Sequence, residues 1–129
     1  MLAELSQFYA GFTTGAIALR LILATVLGGL IGLERATKHH PAGMRTFALV
    51  CLGAAASTVV NIYLGTLSPD RVDLSRIPAG VVGGIGFLGA GTIILQKQFV
   101  RGLTTAAGLW AAAGIGLAVG AGMYLLALA

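Results

Sequence analysis

The chain has 129 residues, of which 57% are hydrophobic and 9% charged, and its mean hydropathy is +0.95. Soluble domains carry about 25% charged residues, so the composition excludes an ordinary soluble globular domain. The net charge of +4 does not point to nucleic acid: the bases sit at the ends of apolar runs rather than along one face, as orientation signals do in membrane proteins.

In chain order, residues 1–13 are mildly amphipathic, with Leu2, Leu5, Phe8, Tyr9 and Phe12 among polar neighbours, and read as a short interfacial helix. The first charged side chain is Glu4, and no Lys or Arg precedes Arg20. A cleavable signal peptide starts with a basic region, so the first span is expected to be retained. That span covers residues 15–33, and its one charge, Arg20, is placed near the outer end, where it would snorkel to the headgroups. Uncharged runs of 24 residues (46–69), 20 (77–96) and 28 (102–129) follow, each long enough to cross a bilayer core. They predict spans at 43–64, 78–95 and 103–119, the third opening at Pro78, a good first-turn residue. Gly120-Ala121-Gly122 reads as a break, and residues 123–129 as the opening of a fifth helix. The expectation is an all-α polytopic bundle of about four transmembrane helices with Gly-rich packing, one transmembrane domain over 1–129.

The segment from Glu34 to Arg45 gathers one acid, three bases and both histidines between the first two spans. The bases Arg35, Lys38, Arg45, Lys97 and Arg101 fall on one side, against Arg71 and Arg76, with Arg20 nearby, on the other. Because Lys and Arg set orientation and acids count little, the five-base side is expected to face the cytoplasm, with both termini outside.

Gly84-Ile85-Gly86-Phe87-Leu88-Gly89 has the spacing of a dinucleotide fingerprint, but it lies in an apolar span rather than between a strand and a helix. Close helix packing is the better reading, because glycine lets two backbones approach within a membrane. The same reasoning covers Gly28 with Gly32, Gly80 with Gly84, Gly91, and Gly116 with Gly120. The 20 glycines together predict a tight bundle and self-association.

His39 and His40 are adjacent in a loop with no third ligand, so a solvated loop is preferred to a metal site. Asp70 and Asp73 could hold a hard cation, yet Arg71 and Arg76 beside them favour a neutralised turn. Cys51, the one cysteine, excludes an intrachain disulfide and reads as a small buried thiol. Asn61 is expected to bond across helices, and Thr104 and Thr105 to satisfy backbone groups at a helix start. Trp110 sits mid-span, away from an interfacial belt. No paired intramembrane carboxylate, Ser/His/Asp set or HExxH is present, so no enzyme, cofactor or resident metal is expected. The candidate working site is an inner-face polar cluster of Glu34, Arg35, Arg45, Thr46 and Arg101.

Three blocks then converge on a resemblance. Gly32-Leu33-Glu34-Arg35 with Ala42-Gly43-Met44-Arg45-Thr46 and Leu52-Gly53-Ala54-Ala55, then residues 84–91, then Val100-Arg101-Gly102-Leu103-Thr104-Thr105-Ala106-Ala107 with Trp110, resemble the MgtC/SapB family in its own order. The resemblance implies a bacterial inner-membrane protein with its N-terminus outside, linked to magnesium limitation and to restraint of the F-type ATP synthase. Longer members carry a cytoplasmic C-terminal domain with no counterpart in these residues. The expectation is a non-enzymatic regulator surrounded by lipid, forming a homo-oligomer or meeting a membrane-protein partner. A cation (Mg2+) transporter or channel component is the alternative.

Overall fold

The computed structural model describes residues 14–37, 42–68, 70–96 and 99–128. Side chains of 94–101 are outside that description, as are residues 1–13, where the sequence predicts an interfacial helix, and the two histidines. Four helices and a short fifth account for most of it: α1 (Thr14–Thr37), α2 (Met44–Leu67), α3 (Arg76–Thr92), α4 (Leu103–Gly120) and α5 (Tyr124–Leu128). A two-stranded antiparallel hairpin, β1 (Ile94–Gln96) and β2 (Phe99–Arg101), joins α3 to α4.

α1, α2 and α4 are long and apolar enough to cross a membrane. The chain is an all-α, multi-pass membrane protein. α3 has 17 residues, about 26 Å of helix, somewhat less than the hydrocarbon core. The sequence reading carried this helix to residue 95, but it ends at Thr92. Ile93, Ile94, Phe99 and Val100 are β-branched or aromatic and suit strands as well as a membrane helix. The hairpin closes at Gly102, whose φ of +92° is left-handed and where a Cβ would run into the Thr92 carbonyl. Only glycine fits that approach.

Small residues set the packing. Along α1 the buried positions are Ala16, Arg20, Ala24, Gly28 and Gly32, one every fourth residue on a single face. Gly28 lies against Phe47, Ala48 and Cys51, and Gly32 against Gly43 and Met44, so α1 runs antiparallel to α2. Gly108 meets Phe47, Gly116 meets Cys51 and Ala54, and Gly120 meets Ala55 and Thr58, so α2 and α4 run parallel. Gly89 touches Ala106, which puts α3 on the flank of α4. Phe47, Leu109 and Val119 are the large apolar side chains that fill the centre between these contacts.

Candidate functional site

The sequence-predicted cluster gathers at the hairpin end of the bundle, where α1 ends and α2 begins. Glu34 is exposed in the last turns of α1, and its carbonyl accepts a bond from the Thr37 hydroxyl (2.7 Å). Arg35 turns partly inward, its Nε enclosed with no hydrogen-bond partner among the described residues. Arg45 and Thr46 are exposed in the first turn of α2. Arg101 closes β2 at the same end, and its side chain lies outside the described residues. Among the described residues no hydrogen bond joins Arg35, Arg45 and Thr46. They share an end of the bundle, not a hydrogen bond. An apolar groove of about 460 Å³ between α2 and α3 opens here, lined by Thr46, Val50, Phe87, Leu88, Thr92 and Leu109.

The opposite end holds the group that sequence reasoning misplaced. Arg20 does not snorkel: it is 2% exposed, the largest fully buried side chain. Its Nη1 donates to the Gly120 carbonyl at the C-terminus of α4 (2.8 Å). Placing a cation at the negative end of the helix dipole satisfies a carbonyl that the helix itself leaves open. Two sequence signals pointed here together: a lone Arg in an apolar span and the Gly120-Ala121-Gly122 break that needs a donor.

Asn61 is 3% exposed and its Nδ2 donates to the Leu74 carbonyl (2.7 Å), in the turn before α3 rather than across to a helix. Thr58 is buried and donates back to Ala54 (2.9 Å). The Cys51 thiol is buried and donates to the Ala112 carbonyl (3.0 Å). Asp73 caps its own turn, its carboxylate accepting from the Ser75 N–H (2.9 Å) and hydroxyl (2.6 Å). The Ser75 hydroxyl, then its N–H, hold this exposed carboxyl below the usual range. Thr105 is buried and Thr104 exposed; neither caps α4, whose N-cap, Gly102, offers no side chain.

The nine glycines read as packing positions divide. Gly28, Gly32, Gly116 and Gly120 lie so close to a neighbouring backbone that an added Cβ would collide. Gly89 makes an ordinary contact with Ala106. At Gly80, Gly84, Gly86 and Gly91 a Cβ would meet nothing within 4 Å among the described residues, so these four do not pack against the described elements. Phe87, at 81% exposed, stands out from that open side of α3. Trp110 on α4 is also exposed.

Among the described residues, no group of three or more His, Cys, Asp or Glu side chains could hold a metal ion. The titratable groups sit mainly at the two ends, and the interior offers Arg20, Asn61 and hydroxyls.

Comparison with known proteins agrees with this architecture. The MgtC family matches residues 21–129. Putative magnesium transporter YhiD of Escherichia coli K12 is 45% identical over 119 residues, covering 89% of this chain and 55% of the relative. Protein MgtC of Salmonella typhimurium LT2 is 50% identical over 111 residues, 86% of this chain and 46% of the relative. A Haemophilus influenzae protein is 46% identical over 97 residues, 70% of this chain and 41% of its own. No solved structure matches. The chain spans about half the length of the curated relatives it matches. With the blocks at the ends of α1, α2 and α3 in place and the family match running over most of its length, the chain belongs to the MgtC family and is a multi-pass membrane protein.

Proposed function

We propose that this chain is a non-enzymatic regulator of membrane physiology under magnesium limitation, acting by helix-to-helix contact in the bacterial inner membrane. Its N-terminus faces outside, and its partners are a second copy and a larger membrane protein, with the F-type ATP synthase the candidate that the family resemblance names. The observation that carries this reading is the open side of α3, where a Cβ added at Gly80, Gly84, Gly86 or Gly91 would meet nothing within 4 Å among the described residues. Lipid chains gain nothing from a missing Cβ, and each glycine makes a helix about 1 kcal/mol less favourable than alanine does. A second helix, whose backbone can approach closely, gains dispersion contacts on such a face. The short length of α3 favours association too, because a helix shorter than the hydrocarbon core relieves mismatch by oligomerising.

The exposed Arg45 and Thr46, with the half-buried Arg35, would then meet partner or headgroup charges at the cytoplasmic surface. The name of the Escherichia coli relative favours the transporter reading. That reading needs a polar path through the bilayer, and the interior groups are few: Asn61, Thr58 and Thr105, with Arg20 held by a helix end. Reconstitution in liposomes separates the two. The regulator reading expects no Mg2+ flux above protein-free vesicles and co-purification of a membrane partner that Gly84→Leu disrupts. Reproducible flux lost on substituting Asn61 overturns it.

A further inference from the structure

α4 ends inside the bundle. Its last residue, Gly120, packs so closely on α2 that an added Cβ would lie 2.7 Å from both the Ala55 carbonyl and the Thr58 Cβ. These positions precede the end of α2 at Leu67 by about 18 and 14 Å of helix. Arg20 likewise lies about 9 Å inside Thr14 along α1. A carbonyl freed by a helix break at such a depth has to be met by protein, because lipid offers no donor.

Three of these carbonyls are met by backbone. Ala121 N–H donates to Leu117 (3.0 Å), Gly122 to Val119 (3.0 Å) and Met123 to Ala118 (2.8 Å). The last two bonds, with Gly122 at a φ of +82°, form a Schellman corner. Gly120 supplies the fourth carbonyl, and Arg20 takes it. The guanidinium also borders the corner itself: a Cβ on Gly122 would lie 3.2 Å from Arg20 Nη2. Beyond the corner α5 buries Ala127. Met123 and Leu126 thereby wall a cavity of about 410 Å³, with Ile62, Leu74 and Pro78 among the residues on its other sides.

We propose that residues 120–122 form a membrane-embedded hinge, that Arg20 is the latch holding it closed, and that α5 is the wall it sets over the cavity. This inference does not rest on the regulator reading. Arg20 is a positioning residue, acting through the backbone end of α4. Breaking the contact leaves the Gly120 carbonyl without this donor at a depth where lipid offers none, which is costly unless another donor replaces Arg20. The hinge therefore has two discrete states rather than a continuum, latched and released.

Cross-linking in native membranes tests the latch. In a Cys51→Ala background, Ile62→Cys and Leu126→Cys are joined by a short bifunctional thiol reagent across the cavity. Thr46→Cys and Leu88→Cys, which line the groove at the hairpin end, report whether the bundle is intact. Adding Arg20→Ala is expected to lower the 62–126 yield by roughly tenfold or more, since the charged hydrogen bond to Gly120 alone is worth about that factor, and to leave the 46–88 yield unchanged. Arg20→Lys, which keeps a donor and the charge, restores most of the 62–126 yield. Gly122→Ala, which puts a Cβ on a left-handed corner beside Arg20, behaves like Arg20→Ala. An unchanged 62–126 yield in Arg20→Ala overturns the proposal. If Arg20→Ala loses both pairs, Gly122→Ala decides: selective loss of the 62–126 pair upholds the hinge, and any other pattern overturns it.

Discussion

In α4, Gly116 and Gly120 lie four residues apart and so near α2 that a Cβ on either would strike the Cys51 or Ala55 carbonyl. In α3, Gly80 and Gly84 have the same spacing, yet among the described residues a Cβ on either would meet nothing within 4 Å. One spacing thus serves two purposes. The first pair brings backbones of this chain together, and the second leaves a bare surface that only another helix can use. Spacing alone does not tell these apart; the position of the helix in the bundle does. α4 sits between α1, α2 and α3, whereas α3 lies on the flank.

The sharpest way to break this comparison is to load both pairs with the same side chain. Gly116→Val should cost about 3 kcal/mol or more, since it overpacks a backbone contact with no room to give. Gly84→Val should stay within about 0.5 kcal/mol of the parent, as expected of a surface change. Thermal unfolding in detergent measures both, and equal losses would erase the distinction. A milder version is Gly120→Ala, expected to cost about 1–3 kcal/mol against a neutral or slightly stabilising Gly80→Ala.

Charge sharpens the comparison in another direction. Arg45 is exposed and Arg20 is buried behind a bond to Gly120. Arg45→Glu should impair activity in cells under magnesium limitation while leaving membrane insertion and unfolding temperature unchanged. Unaltered activity would remove Arg45 from the working surface. The smallest effect belongs to the Asp73 turn. Its carboxyl is held below the usual range, so the turn's extra stability is present above an unfolded pKa of about 3.9 and is lost as pH falls through the lower folded value. Amide exchange at Ser75 should accelerate only in that acid window, and Asp73→Asn should abolish the dependence.

Much of the fold was legible in the sequence because long uncharged runs have few alternatives to membrane helices. The ends of α1, α2 and α4 fall close to where charge and glycine mark them. The hairpin was not legible, since Ile93, Ile94 and Leu95 read equally well as the end of an apolar helix. The deciding fact is Gly102's left-handed φ and its closeness to Thr92, a feature of three dimensions. Spacing puts the charged residues before and after the first loop at one end, but it could not say that Arg35 turns partly inward while Arg45 stays out. Arg20 was misplaced for a different reason. A single Arg early in a span looks the same whether it reaches headgroups or a helix end, and only the depth of Gly120 decides.

The central claim is that the open glycine face of α3 is an association surface. Its most direct test is the association equilibrium of the protein in lipid bilayers, followed by single-molecule photobleaching across a dilution series. The account predicts that the parent self-associates and that Gly80→Leu with Gly84→Leu weakens association at least about tenfold, some 1.4 kcal/mol, without lowering the unfolding temperature. A parent that stays monomeric, or a double variant that associates as well as the parent, would contradict it.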